Sequence, residues 1–204
     1  VRYEVVDALG DIGGQAAVPA LIQAMKDSDA NVRREAADGL GDFSDARSIP
    51  TLIEALKDPS REVRREAADS FDDIRDARAI PGLITLLDDE SREVRREAAD
   101  ALGRMRDPAA ADGLIKALQD DSREVRREAA DALSEFRSPE ATAALINALN
   151  DESSEVRREA ADALGQLQER SAVPALLEAL QDDSREVRRE AADALGMIQD
   201  PTAV

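Results

Sequence analysis

The 204-residue chain has no cysteine, no histidine and no tryptophan, one tyrosine and three phenylalanines. Without cysteine there can be no disulfide, thiol nucleophile or cysteine–zinc site. Without histidine it lacks the commonest metal ligand and the commonest general base. Lysine is scarce: Lys26, Lys57 and Lys116 are the three, so 24 of the 27 basic residues are arginine. No apolar run approaches the roughly 20 residues that span a bilayer. Neither a signal-peptide pattern nor an Asn-x-Ser/Thr acceptor is found, so a cytoplasmic protein without membrane contact is expected.

What is abundant is acid. Forty-five Asp and Glu give a formal net charge of −18, and charged residues make up 35% of the chain. Such a chain can be disordered, but 43% apolar residues at regular spacing predict that it folds. Acid excess with arginine in place of lysine is a trait of proteins from salt-loving organisms such as halophilic archaea. We read it so, with a synthetic consensus sequence as the alternative.

The string Glu-Val-Arg-Arg-Glu-Ala-Ala-Asp begins at Glu62, Glu93, Glu124, Glu155 and Glu186, with a variant at Asn31. Successive starts differ by 31 residues without insertion or deletion. Fixed periods of this length belong to stacked repeat architectures. Each period holds two helical patterns. In the second, Val63, Ala67, Phe71 and Ile74 form one apolar stripe; in the first, Ile49, Leu52, Ile53 and Leu56 do. Each helix is too short to be stable alone, so neighbours must stack into a continuous core. Alanines 36, 67, 98, 129, 160 and 191 allow close approach, and the three phenylalanines, Phe43, Phe71 and Phe136, fall on core positions.

Punctuation agrees with this frame. Asp29, Ser60, Ser91, Ser122, Ser153 and Ser184 precede each second helix as N-caps, with an acid two residues on in most units. Asp107-Pro108 and Asp200-Pro201 read as a cap followed by proline at the first helical position. Pro19, Pro50, Pro81 and Pro174 lie a few residues inside the first helix and should bend or tighten its opening. Asp112 and Ala143 replace them in the middle units, predicting straighter openings there.

Units such as "AVPALLEALQDDSREVRREAADALGMI" resemble HEAT-like repeats of the phycobilisome-lyase type and artificial helical repeat proteins built on that consensus. The resemblance covers essentially the whole chain and implies an all-α superhelix, a HEAT-like α-solenoid. Its units would be a half repeat at 1–12, full repeats at 13–43, 44–74, 75–105, 106–136, 137–167 and 168–198, and a further start at 199–204. Six hairpins at about 10 Å each would make a curved rod about 60 Å long, expected to be a segment of a longer solenoid.

The resemblance also implies that the second helices line a concave partner-binding surface. Mapped here, that face comprises the second arginine of each pair and the aspartate four residues on: Arg34 and Asp38, Arg65 and Asp69, Arg96 and Asp100, Arg127 and Asp131, Arg158 and Asp162, Arg189 and Asp193. Glu35 and its equivalents share it, with the more variable Asp42, Asp73, Arg104, Glu135, Gln166 and Met197. The second arginines should be exposed, pairing with those aspartates or with an acid such as Glu62 three residues earlier, in a lattice within and between repeats. A constant ladder suits a repetitive protein partner or self-association. The turn edges, more variable at Gly13-Gly14-Gln15, Ser44-Asp45-Ala46 and Gln168-Glu169-Arg170, are the other candidate surface.

Catalysis finds little support. Acidic runs at Asp88-Asp89-Glu90, Asp120-Asp121, Asp151-Glu152 and Asp182-Asp183 lack calcium-loop spacing and read as solvated loops. No residue visibly breaks the repeat to build a pocket, and no metal or other cofactor is implied. The charge and the few aromatics argue against nucleic acid. A di-iron hydroxylase of this repeat class would need the missing histidines. The expected function is therefore a non-catalytic protein-interaction scaffold. The alternatives are a bilin lyase or isomerase subunit and an engineered or recently duplicated structural array.

Overall fold

The computed structural model describes residues 2–12 and 14–198. Helix is the only regular structure among them, and the chain divides into two compact units at Met105/Arg106. The first unit contains α1 (Arg2–Ile12), α2 (Val18–Ala24), α3 (Ala30–Asp42), α4 (Ile49–Ala55), α5 (Arg61–Ile74), α6 (Ile80–Leu86) and α7 (Arg92–Met105). The second contains α8 (Ala111–Ala117), α9 (Arg123–Leu133), α10 (Pro139–Ala148), α11 (Ser154–Leu167), α12 (Val173–Ala179) and α13 (Arg185–Ile198). This is the all-α solenoid pattern: short first helices alternate with longer second helices.

Within each unit a second helix packs on the second helices before and after it and on the first helix of its own hairpin. The hydrophobic spacing dictates this. Leu21, Leu52, Leu83, Leu114, Leu145 and Leu176 of the first helices are completely buried. So are Ala36, Ala67, Ala98, Ala129, Ala160 and Ala191 of the second helices. A fully buried leucine contributes about 2 kcal/mol, and a seven-residue helix such as α4 has no other source of stability. Three expected core positions behave differently, and one of them, Ile53 of α4, is half-exposed on the flank of its stripe. Phe43 and Ile74 are half-exposed, because α3 ends at Asp42 and α5 at Ile74, so both lie on the rim of the seam. Phe71 and Phe136 are buried as expected.

Each proline at 19, 50, 81 and 174 stands at the second position of its α-segment, where its missing N–H has no helical partner to lose. The tightened opening lies just ahead of three of them, as 3-10 turns at Gly14–Ala16, Ala77–Ala79 and Arg170–Ala172. The straighter opening expected at Ala143 is present: α10 starts at Pro139, and Ser138 accepts from the Ala141 amide at 3.0 Å. At Asp112 it is not. Asp107 caps a 3-10 turn at Pro108–Ala110, so the cap rather than the missing proline sets the geometry. Asp200-Pro201 lies outside the described residues.

The serine caps are in the expected places but work differently. The Ser60, Ser91 and Ser122 hydroxyls donate to Glu62, Glu93 and Glu124 at 2.7–2.8 Å. A hydroxyl can donate and accept at once, and Ser184 does both, donating to Glu186 at 3.0 Å and accepting the Val187 amide at 3.5 Å. Glu62 and Glu124 are held down at about 2 chiefly by the serine hydroxyl, and Glu93 chiefly by its own backbone amide.

Several second helices end on non-glycine residues in the left-handed conformation: Arg75 at φ 48° and Gln168 at φ 57° close α5 and α11. A Cβ in that conformation costs about 1 kcal/mol, which glycine avoids. Gln168→Gly is therefore expected to stabilise the protein by about 0.5–1 kcal/mol, read as a higher urea midpoint.

Candidate functional site

The twin arginines of each second helix divide two tasks. The first is an internal clamp. Arg33 grips Asp58 of the next repeat through Nε and Nη2 at 2.8 and 2.9 Å, and Arg64 grips Asp89 at 2.7 and 2.9 Å. Arg126 holds Asp151 at 2.8 and 3.0 Å, and Arg157 holds Asp182 at 2.8 and 2.9 Å. The remaining guanidinium nitrogen donates to a carbonyl of its own repeat's loop, as Arg64 Nη1 does to Asp58 at 2.8 Å. Each clamp aspartate also accepts the backbone N–H of the next capping serine, for example Ser91 on Asp89 at 2.9 Å. One arginine thus ties together two successive loops and a helix start.

Both partners are sequestered, with the Arg64 and Asp89 side chains 10% and 8% exposed. Burial alone would raise the pKa of Asp58 and Asp89, but the arginine hydrogen bonds and serine amides overcome it, and both lie below the ordinary carboxylate value. The acidic runs are therefore not simply solvated loops: Asp89, Asp151 and Asp182 are built in, whereas Glu90, Glu152 and Asp183 beside them are 85–90% exposed.

The second arginine lies across the candidate face. Arg34, Arg65, Arg96, Arg127 and Arg158 are half-exposed and Arg189 is exposed. Arg34 and Arg158 turn to adjacent glutamates rather than to Asp38 and Asp162. Arg34 reaches Glu35 at 3.1 Å and Glu66 of the next repeat at 3.9 Å. Arg127 reaches Glu128 at 2.9 Å and Glu159 at 3.6 Å, and Arg158 reaches Glu159 at 2.7 Å and Glu190 at 3.7 Å. Glu62 turns to Arg61 rather than Arg65. The lattice within and between repeats is real, but it runs through the adjacent glutamates.

Those glutamates form the floor of the face. The side chains of Glu66, Glu97, Glu128 and Glu159 are only 6–9% exposed. Burial raises Glu66 and Glu159. Above the floor, Asp38, Asp69, Asp131 and Asp193 are exposed, and Asp100 and Asp162 half-exposed. Asp38 is raised by burial and by neighbouring Asp42 and Asp69. In the variable column Asp42, Asp73, Arg104, Glu135 and Gln166 are exposed and Met197 half-buried. Gln166 donates to Asp162 at 2.9 Å, and Glu135 pairs with Arg106 at 2.7 Å. The face thus gathers acid at three levels, and burial, with neighbouring carboxylates second to it, pushes Asp38, Glu66 and Glu159 upward.

One departure from the repeat was missed in the sequence. The position before Asp73 reads Gly10, Gly41, Asp72, Gly103, Ser134, Gly165 and Gly196 in successive units. Asp72 meets Asp69 and Glu97 there, one oxygen of each lying within 4.8 Å of the others. Arg104 binds Asp72 Oδ2 at 2.9 Å and Arg96 binds Glu97 at 3.0 Å, so guanidinium groups already supply positive charge to two of the three. Aligning the repeats column by column would have exposed the residue, since glycine is otherwise the rule there. An open groove of about 310 Å³ lies at the N-terminal ends of α5 and α7, lined by Arg61, Glu62, Arg65, Ser91, Glu93 and Val94.

Stacked helical hairpins locked by inter-repeat arginine clamps define an α-solenoid repeat protein. The family model for HEAT repeats matches residues 1–72, 18–98, 49–134, 80–150 and 142–204, and the chain belongs to that family. None of the curated proteins matches it in sequence. Among solved structures, an engineered structural-genomics protein is 28% identical with a TM-score of 0.63, covering 89% of this chain and 96% of that one. A designed armadillo repeat protein in complex with the peptide (KR)4 is 25% identical, TM-score 0.64, covering 89% and 99%. The CpcE–CpcF complex of phycocyanin lyase from Nostoc sp. PCC7120 is 24% identical, TM-score 0.61, covering 100% and 89%. No helix among the described residues is long and apolar enough to cross a membrane.

Removing a clamp aspartate leaves a buried guanidinium without its partner. Asp89→Ala should therefore destabilise the protein by about 3 kcal/mol. Glu90→Ala, one residue on at an exposed carboxylate, should stay within about 0.5 kcal/mol. Chemical denaturation of the two variants beside the parent separates them.

Proposed function

We propose that this chain is a non-catalytic scaffold that binds proteins, and that the second-helix face takes a basic, extended segment of its partner. The observation that carries this reading is the aspartate row, Asp38, Asp69 and Asp100 in one unit and Asp131, Asp162 and Asp193 in the other, above a glutamate floor. The second arginines are drawn to that floor, which leaves the row acidic. Raised carboxyls mark places where an added cation would relieve like-charge repulsion. A partner carrying arginine or lysine at regular spacing would supply it, with electrostatic attraction speeding encounter. The similar armadillo design in complex with (KR)4 supports the same partner chemistry.

A constant ladder favours a repetitive partner over one irregular epitope. The lyase alternative draws on a likeness of fold alone, and nothing among the described side chains suggests a tetrapyrrole pocket. Fold by itself does not carry function.

Titration of a labelled alternating Lys-Arg peptide should saturate, and its affinity should weaken as salt is raised. Asp131→Asn combined with Asp162→Asn should weaken it about tenfold, equivalent to about 1.4 kcal/mol. An acidic or uncharged peptide binding as well as the basic one would overturn the proposal, as would indifference to the double variant.

A further inference from the structure

The chemistry left unused by the repeat plan lies at the joint between α5 and α7. Asp72 occupies a column that is glycine in five of the seven units. At two of these glycines the reason is space. A methyl group on Gly41 would stand 2.9 Å from Ser70 Cβ, and one on Gly165 2.9 Å from Ala194 Cβ. At the α5–α7 joint the chain instead inserts a carboxylate, and Asp72 Oδ1 is fully buried with no hydrogen-bond partner. One oxygen each of Asp72, Asp69 and Glu97 lies within 4.8 Å of the others, and the Glu97 residue is only 4% exposed. A buried carboxylate oxygen without a donor, close to other carboxylates, is relieved by a proton on one of the group.

We propose that the Asp72 and Glu97 carboxyls at the α5–α7 joint hold a proton at neutral pH, making the joint a pH-sensitive seam that weakens when the proton leaves. The proposal is independent of the partner-binding reading.

The surrounding charges favour that proton. On α5 the neighbours are Asp69, Asp73 and the half-exposed Arg65; on α7 they are Asp100, Arg96 and Arg104. On α3, Asp38 lies against Glu66 and adds negative charge near Asp69. Glu54, the sole charged residue of α4, is exposed and pairs with Lys57, and α6 carries no charged residue. Arg104 serves both Asp72 Oδ2 and Asp100 Oδ1, each at 2.9 Å, so its single charge is divided. It is also the one arginine in its own repeat column, so two exceptions to the repeat meet in one contact. Burial, then Asp100, Asp69 and Glu97, push Asp72 up to about 7, and burial with Asp69 and Asp100 pushes Glu97 to about 7.

The sign follows from linkage. A carboxyl whose pKa is raised on folding holds its proton more tightly when folded. Its contribution is complete below about pH 4 and is lost as pH rises through about 7. The clamp aspartates act in the opposite sense, losing their contribution only as pH falls below the ordinary carboxylate range.

The test is the thermal midpoint at constant ionic strength between pH 5 and pH 8.5. The parent protein should lose roughly 4 °C across that range. Asp72→Asn, and Asp72→Gly which restores the repeat consensus, should lose less than half as much and exceed the parent at pH 8.5. Carboxyl carbon NMR of the parent provides a readout needing no variant, with a midpoint near 7 expected for Asp72 or Glu97. Parallel midpoint profiles for parent and variants would overturn the proposal, as would both carboxyls titrating in the ordinary range. Equal stabilisation of the parent by millimolar calcium at pH 5 and pH 8.5 would also overturn it, because the cluster would then be ionised throughout.

Discussion

No hairpin in this protein can bury its own aliphatic face. A first helix of seven to ten residues and a second of eleven to fourteen present too little apolar surface to offset the entropy of ordering them. Every other feature serves the stacking that this shortage forces. Alanine at the contact line lets second helices approach, glycine one turn later lets them approach further, and a leucine from each first helix closes the seam.

Charge is then placed around that seam with different degrees of exposure. The clamp pairs are buried ions, which contribute little net stability but are costly to disrupt. Their value is geometric: a bidentate guanidinium accepts one orientation of carboxylate, so the pair fixes how one loop sits over the next. Lysine could not do this. The second arginine, on the same turn, is left for the glutamate floor.

Much of this was legible in the sequence, and the reason is the repeat. A period repeated without insertion fixes the number and kind of helices, and stripes such as Val63, Ala67 and Phe71 identify their buried faces. The candidate face was legible only as a set of positions. Helical spacing placed Arg34 beside Asp38, but spacing cannot tell which of two neighbouring acids a guanidinium prefers. The structure chose Glu35 and Glu66, because the next helix carries its glutamate within reach. The clamp was hidden for a related reason: its partners lie 25 residues apart, as Arg64 and Asp89 do, and no local pattern joins them. Serine caps were placed correctly, but spacing did not show that the Ser60 hydroxyl would donate to Glu62.

The meeting of Asp72 with Arg104 gives the array a direction of reading. Hairpins that share one consensus are in principle interchangeable, and a recombination that transposed or duplicated them would leave the seam intact. The two hairpins that carry this pair are not. Separate them, and a carboxylate is left in a slot shaped for hydrogen while its arginine faces a neighbour without need of it. A lineage that shuffles its modules would have to inherit these two together, and so carries a fixed landmark within an otherwise exchangeable series.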